Sequence, residues 1–366
     1  MKLGISAVSA CLVLMSCASQ PSQTAPAAEV SAAVSDDGSL QVAGFKAPFS
    51  SIASPEAKAA FVASMKGPRG FFGDQTVSIE EIRRRTDEVD ILPSLEKQRA
   101  RYPVTMTEER IGGVFVQVFT PAGGVSEKNR ERVLIDLHGG SFMVGALSLS
   151  QVESIPIAAV GRIKVISIDY RQGPEYRFPA ASEDVAAVYR ELLKPYKPED
   201  IAIYGGSAGG LIAAQAVAWF QKENLPKPAA VGIFCASARN FGEGDSAWIT
   251  PHLGGVLPAP GGALPPYFIG ANPLDPLVLP GTHPATLAKF PPTMLVSGSR
   301  AGEMSSATRS HIDLVKAGVD ARLFIWDGLG HCFFNNPDLP EAREFYDLAV
   351  AFFDESMDKA KTGSRK

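Results

Sequence analysis

Cysteine is scarce in this chain: there are four in 366 residues, and two of them, Cys11 and Cys17, fall in the N-terminal leader. Cys235 and Cys332 are too few for a disulfide framework, so the fold is expected to stand on its apolar core. Neither lies in a strand-to-helix elbow or at a helix N-terminus, which excludes a thiol nucleophile. Cys235 ends an apolar strand and reads as core; Cys332 is expected to point away from His331, as neighbours on an extended loop do. An excess of charge is missing as well. With 35 basic and 39 acidic residues and no basic stripe, the chain has no electrostatic footprint for nucleic acid. No internal repeat is visible, and the apolar stretch Leu3–Met15 is too short to cross a bilayer as a helix.

That stretch is part of a processing signal. Lys2 gives a short positive start, and Leu14-Met15-Ser16-Cys17 resembles a bacterial lipobox. Residues 1–17 are read as a lipoprotein signal peptide, with Cys17 lipidated as the first residue of the mature chain. A cleaved secretory signal without lipid is the alternative. Both imply export across the bacterial inner membrane, with membrane contact only through the lipid. Residues 18–40, rich in Ala, Ser, Pro and Gln, read as a disordered tether.

The richest stretch is Ile201-Ala202-Ile203-Tyr204-Gly205-Gly206-Ser207-Ala208-Gly209-Gly210. An apolar strand turns into a helix through Gly-x-Ser-x-Gly. The turn is sterically tight, and glycines two residues either side of Ser207 leave it room. The helix that follows aims its positive end and free N–H groups at any oxyanion beside Ser207. Upstream, an aliphatic strand runs into Leu137-His138-Gly139-Gly140-Ser141. Downstream, Gly328-Leu329-Gly330-His331 follows the strand ending at Trp326. His252 and His283 lie in a Pro/Gly-rich insert and His311 in a helical pattern, so they read as ordinary polar residues.

Together with Asp169-Tyr170-Arg171-Gln172-Gly173-Pro174-Glu175-Tyr176-Arg177-Phe178-Pro179-Ala180 and Asp184, these motifs resemble the hormone-sensitive-lipase-like branch of the α/β-hydrolases, from about Val114 to the C-terminal helix. The resemblance implies a serine carboxylesterase acting on small or short-chain esters without metal or cofactor. Ser207 is then the nucleophile and His331 the base. The N–H groups of Gly139, Gly140 and Ala208 form the oxyanion hole. His138 precedes the nucleophile and is expected to pin its loop. Ser141 stands where the family has a further Gly, so a hydroxyl would line the hole.

The acid departs from the pattern. Related sequences carry an Asp directly after the Arg that follows the seventh strand, and here Arg300 is followed by Ala301. Glu303 is the carboxylate within reach on that loop and is expected to be the triad acid; the alternative has it facing solvent at a helix start. Asp275 precedes the strand instead of following it, and Asp327 is too close to His331 along the chain. A ligand-binding protein with weakened catalysis, or an amidase or lactonase, are the rival readings.

The fold class expected is α/β: the α/β-hydrolase fold, a mostly parallel sheet flanked by helices. Its core spans residues 111–239 and 286–361. A helical cap segment at 41–110 includes a capping box from Ser78 to Glu81. Its basic run Arg83-Arg84-Arg85 reads as a solvated face. The insert at 240–285, after the sixth strand, holds nine prolines and eight glycines and is expected to complete the cap. Ser141, Phe142, Trp248, Tyr267 and Phe268 either line a substrate pocket or, for the insert's aromatics, form a small core of their own.

Overall fold

A computed structural model describes residues 32–35, 40–42, 46–66, 77–254 and 264–363. Cys17 and the signal segment lie outside the described residues. The chain divides into two units, 1–48 and 49–366. In the first, Ala32–Val34 pairs antiparallel with Leu40–Val42. Of the expected tether, Ala32–Val34 and Leu40 therefore lie in a short two-stranded ladder, a correction at those residues.

The second unit is built on eight strands: β1 (Val104–Ile111), β2 (Val114–Pro121), β3 (Val133–Leu137), β4 (Lys164–Ile168), β5 (Ile201–Gly206), β6 (Ala230–Phe234), β7 (Thr293–Gly298) and β8 (Ala321–Trp326). Their order is β8-β7-β6-β5-β3-β4-β2-β1. Only β2 runs against the common direction, antiparallel to both β1 and β4. Strands β3, β5, β6 and β7 are buried along their whole length, as apolar runs covered on both faces must be. The order reverses around β3, which lies between β4 and β5. In an open parallel sheet, a ligand crevice forms at the carboxyl ends beside such a point.

Ten α-helices surround the sheet. They are α1 (Pro55–Lys66), α2 (Ile79–Thr86), α3 (Leu92–Arg101), α4 (Leu149–Gly161), α5 (Ala180–Leu192), α6 (Ala208–Lys222), α7 (Ser246–Ile249), α8 (Pro284–Leu287), α9 (Met304–Lys316) and α10 (Pro340–Gly363) among the described residues. One core packs α5 and α6 against the sheet; the other packs α3, α4 and α10. A π-helical turn, Asp87–Ile91, joins α2 to α3. The Ser78 hydroxyl accepts from the Glu81 N–H at 3.3 Å. The Glu81 carboxylate, however, is held by Arg84 and Arg85 and does not complete the box.

The cap segment expected at 41–110 ends early, because β1 occupies its last residues. β1 is an edge strand whose six central residues are exposed, so it lacks the apolar run that marks the interior strands. Its hairpin to β2 turns on Gly112 and Gly113, both at positive φ (61° and 84°), as a tight two-residue hairpin requires.

Candidate active site

Ser207 sits between β5 and α6 with φ 53° and ψ −120°, a region that side chains other than hydrogen rarely occupy. The flanking glycines are steric necessities. A Cβ on Gly209 would lie 1.6 Å from the Leu137 carbonyl oxygen, and one on Gly205 2.4 Å from the same atom. The Ser207 N–H donates to Phe234 O at 2.9 Å, which ties the turn to β6.

Two hydrogen bonds run outward from the serine. Ser207 Oγ lies 2.8 Å from His331 Nε2, and His331 Nδ1 lies 3.0 Å from Glu303 Oε2. For Nε2 to accept the serine proton, Nδ1 must carry the ring hydrogen, and Glu303 fixes that tautomer. The other Glu303 oxygen accepts from Ser297 Oγ at 3.1 Å. Glu303 is the residue just before α9 and only 3% exposed; it faces the histidine and not solvent. Burial pushes the His331 imidazole toward neutrality, but the charge and hydrogen bond of Glu303 outweigh it and hold the pKa above its ordinary value. Ala301 is buried on the same loop. Asp275 caps its own turn by accepting from the Leu277 N–H at 2.8 Å. Asp327 accepts from the hydroxyls of Ser50 and Ser299.

The oxyanion loop departs from expectation at Gly139. Its N–H donates to Glu153 Oε1 on α4 at 3.2 Å, so it is not a free donor. Among the described residues, no acceptor takes the N–H of Gly140, Ser141 or Ala208. The loop reaches this arrangement through three successive positive φ angles, at Gly140 (108°), Ser141 (53°) and Phe142 (63°). His138 is fully buried, with Nδ1 2.6 Å from Gly139 O and its ring stacked on Tyr170. Burial lowers its pKa to about 4, so it stays neutral. Tyr170 in turn donates its hydroxyl to His138 O at 2.7 Å, which links the Asp169–Ala180 motif to the loop.

The pocket assignment needs correction for four residues. Phe142 stacks on Tyr267 with ring centroids 5.3 Å apart and meets Phe268 edge-on at 4.9 Å. These three are buried in the main core, at 1%, 1% and 3% exposure, and Trp248 is 66% exposed. The first three fill space instead of lining it, and Trp248 faces water. Ser141 remains half-buried on the oxyanion loop.

Three features were not anticipated. Cys235 and Cys332 form a disulfide, with Cα atoms 5.3 Å apart. Both residues are left-handed (φ 41° and 47°), which turns Cys332 toward Cys235 where an extended loop would have turned it away. Arg83 is not part of a merely solvated face. From α2 its Nε donates to Met143 O at 2.8 Å, one terminal nitrogen donates to Gly173 O at 3.1 Å, and both terminal nitrogens clasp Glu175. Glu153, finally, gave no sign in the sequence of its place behind the oxyanion loop.

Comparison with known proteins agrees with this geometry. A family model described as alpha/beta hydrolase fold matches residues 134–335. An acetyl-hydrolase of Streptomyces hygroscopicus is 30% identical over 225 residues, covering 60% of this chain and 75% of that protein. Among solved structures, esterase E25 superposes with a TM-score of 0.75 at 28% identity, covering 87% of this chain and 98% of the other. An esterase from the bacterial hormone-sensitive lipase family gives 0.70 at 26% identity, covering 83% and 99%. The chain belongs to the α/β-hydrolase fold family, in its hormone-sensitive-lipase-like branch, and is a carboxylic ester hydrolase.

Proposed function

We propose that the protein hydrolyses esters of small acyl groups through Ser207, His331 and Glu303. His331 removes the Ser207 proton as Oγ attacks the ester carbonyl, and Glu303 stabilises the imidazolium that forms. The tetrahedral oxygen is received by the N–H groups of Gly140 and Ala208, with Ser141 beside them. His331 returns its proton to the leaving alcohol. Water, activated by the same histidine, then releases the acid from Ser207.

The observation that carries this reading is the unbroken hydrogen-bond chain from Ser207 through His331 to the buried Glu303. A small acyl group is supported by the aromatic packing of Phe142, Tyr267 and Phe268, which fills the volume behind the oxyanion loop. The Streptomyces relative, an acetyl-hydrolase by name, points the same way. Export and lipidation at Cys17 complete the proposal. The Cys235–Cys332 bridge supports export, because disulfides persist in oxidising compartments.

The deciding experiment uses protein beginning after Cys17. An organophosphonate should label Ser207 in the wild type and leave Ser207→Ala unlabelled and inactive. Turnover should peak between acetyl and about hexanoyl esters, as the resemblance to short-chain esterases implies. An active Ser207→Ala, or faster turnover of long-chain emulsions, would refute the reading.

A further inference from the structure

Glu153 lies on α4, only 5% exposed, against the backbone of both catalytic loops. Its Oε1 accepts the Gly139 N–H, and the Gly206 amide of the serine turn also bears on the carboxylate. The two glycines close around that oxygen. A Cβ on Gly206 would come within 2.8 Å of Oε1, and one on Gly139 within 3.1 Å of Oε1 and of Gly206 O. One side-chain atom thus bridges the loop before the oxyanion donors and the residue before the nucleophile.

Stability does not account for an acid here. Glu153 Oε2 has no partner among the described residues. Asp136, two residues before His138, is fully buried and adds repulsion; its Oδ2 is held by Ser154 and Ser167 at 3.0 and 2.6 Å. Burial and the neighbouring Asp136 push the Glu153 pKa well up. A buried, half-satisfied carboxyl beside another is a burden that a well-packed apolar side chain would remove.

We propose that Glu153 is a positioning residue for the oxyanion hole. By drawing the Gly139 N–H down toward α4 it sets the turn of the loop, so that the next amide, Gly140, faces the carbonyl held at Ser207. The inference rests on the proposed role of Gly140 and Ala208 as oxyanion donors. It assigns Glu153 no contact with substrate and no proton to transfer.

Three variants test it: Glu153→Leu, which removes the acceptor at similar volume; Glu153→Gln, which keeps one acceptor oxygen; and Glu153→Ala/Gly206→Asp, which offers a carboxylate from the other side of the gap. Glu153→Leu should melt no lower than the wild type, yet lose about 10²-fold in kcat with KM within about three-fold. A trifluoromethyl ketone, whose hemiketal oxyanion occupies the hole, should bind more weakly by a similar factor. Glu153→Gln should stay within about ten-fold of wild-type kcat, and the double variant should recover at least ten-fold over Glu153→Ala. A folded Glu153→Leu with wild-type kcat and undiminished ketone affinity would overturn the assignment. Should Glu153→Leu fail to fold, Glu153→Met decides by the same two readouts. Ser207→Ala is measured in parallel. If it is active, the underlying esterase reading fails; if it is inactive while Glu153→Leu is not impaired, only the role of Glu153 fails.

Discussion

Glu303 reaches His331 Nδ1 at 3.0 Å from a position two residues beyond Ala301, where related sequences carry their acid. The extra methylene of Glu and the onset of α9 at Met304 together return the carboxylate to the imidazole. Glu303→Gln should therefore lower kcat by about 10³–10⁴ with little change in KM, since the amide can hold the wrong tautomer. Asp275→Asn should remain within two- to three-fold of wild type. Steady-state kinetics on a soluble acetyl ester decide both, and a Glu303→Gln enzyme close to wild type would remove Glu303 from the mechanism.

The pH profile follows from the same contact. His331 must be neutral to take the serine proton, and Glu303 raises its pKa above the ordinary value of 6.5. The acidic limb of kcat/KM, which reports the free enzyme, should thus have its midpoint above 6.5. Residual activity of Glu303→Gln should show that limb shifted to lower pH, because the raising influence is gone while burial remains. A shift in the opposite direction would contradict the assigned electrostatics.

Ser141 holds a left-handed conformation at φ 53°, which suits glycine and costs other residues about 1 kcal/mol or more. Ser141→Gly should stabilise the protein by about 0.5 kcal/mol after the greater freedom of glycine in the unfolded chain is counted. Ser141→Val, β-branched, should destabilise it by about 1–2 kcal/mol. Urea unfolding at equal protein concentration measures both.

The Cys235–Cys332 bridge closes a separation of 97 residues. A loop of that length predicts a contribution of about 3–4 kcal/mol, allowing for residual structure in the unfolded chain. Cys235→Ala/Cys332→Ala, or the wild type under dithiothreitol, should show the corresponding fall in denaturation midpoint. An unchanged midpoint would mean that the loops hold their places without the bond.

Strands β3 to β7 were legible because burial on both faces demands apolar runs, β2 and β8 because their residues are apolar although only partly covered, and the helices between them because their patterns are amphipathic. β1 was not. Its residues Thr105 to Arg110 face water at the sheet edge, and the informative signal was Gly112-Gly113 between two extended runs. Ser207 and His331 could be placed because each needs a particular backbone: a glycine-flanked turn for one, a loop after the last strand for the other. The inward face of Glu303 depends on where α9 begins, which residue types constrained only to within two positions. The Gly139 amide, the Arg83 clasp and the disulfide are long-range pairings. Each joins segments whose local sequence has no need of the other, so no pattern in either half announces the partner.

The path between nucleophile and base is short in bonds. Ser207 N–H is held by Phe234 O, Cys235 follows directly, its sulfur is bonded to Cys332, and His331 is the adjoining residue. One hydrogen bond and one covalent link thus fasten the base loop to the strand that carries the serine turn. The bridge holds the His331 loop at the end of β6, beside the serine turn. The spacing of nucleophile and base is thus set by contacts outside the hydrogen-bond chain that uses it, so a change at Glu303 can alter the imidazole without releasing its loop.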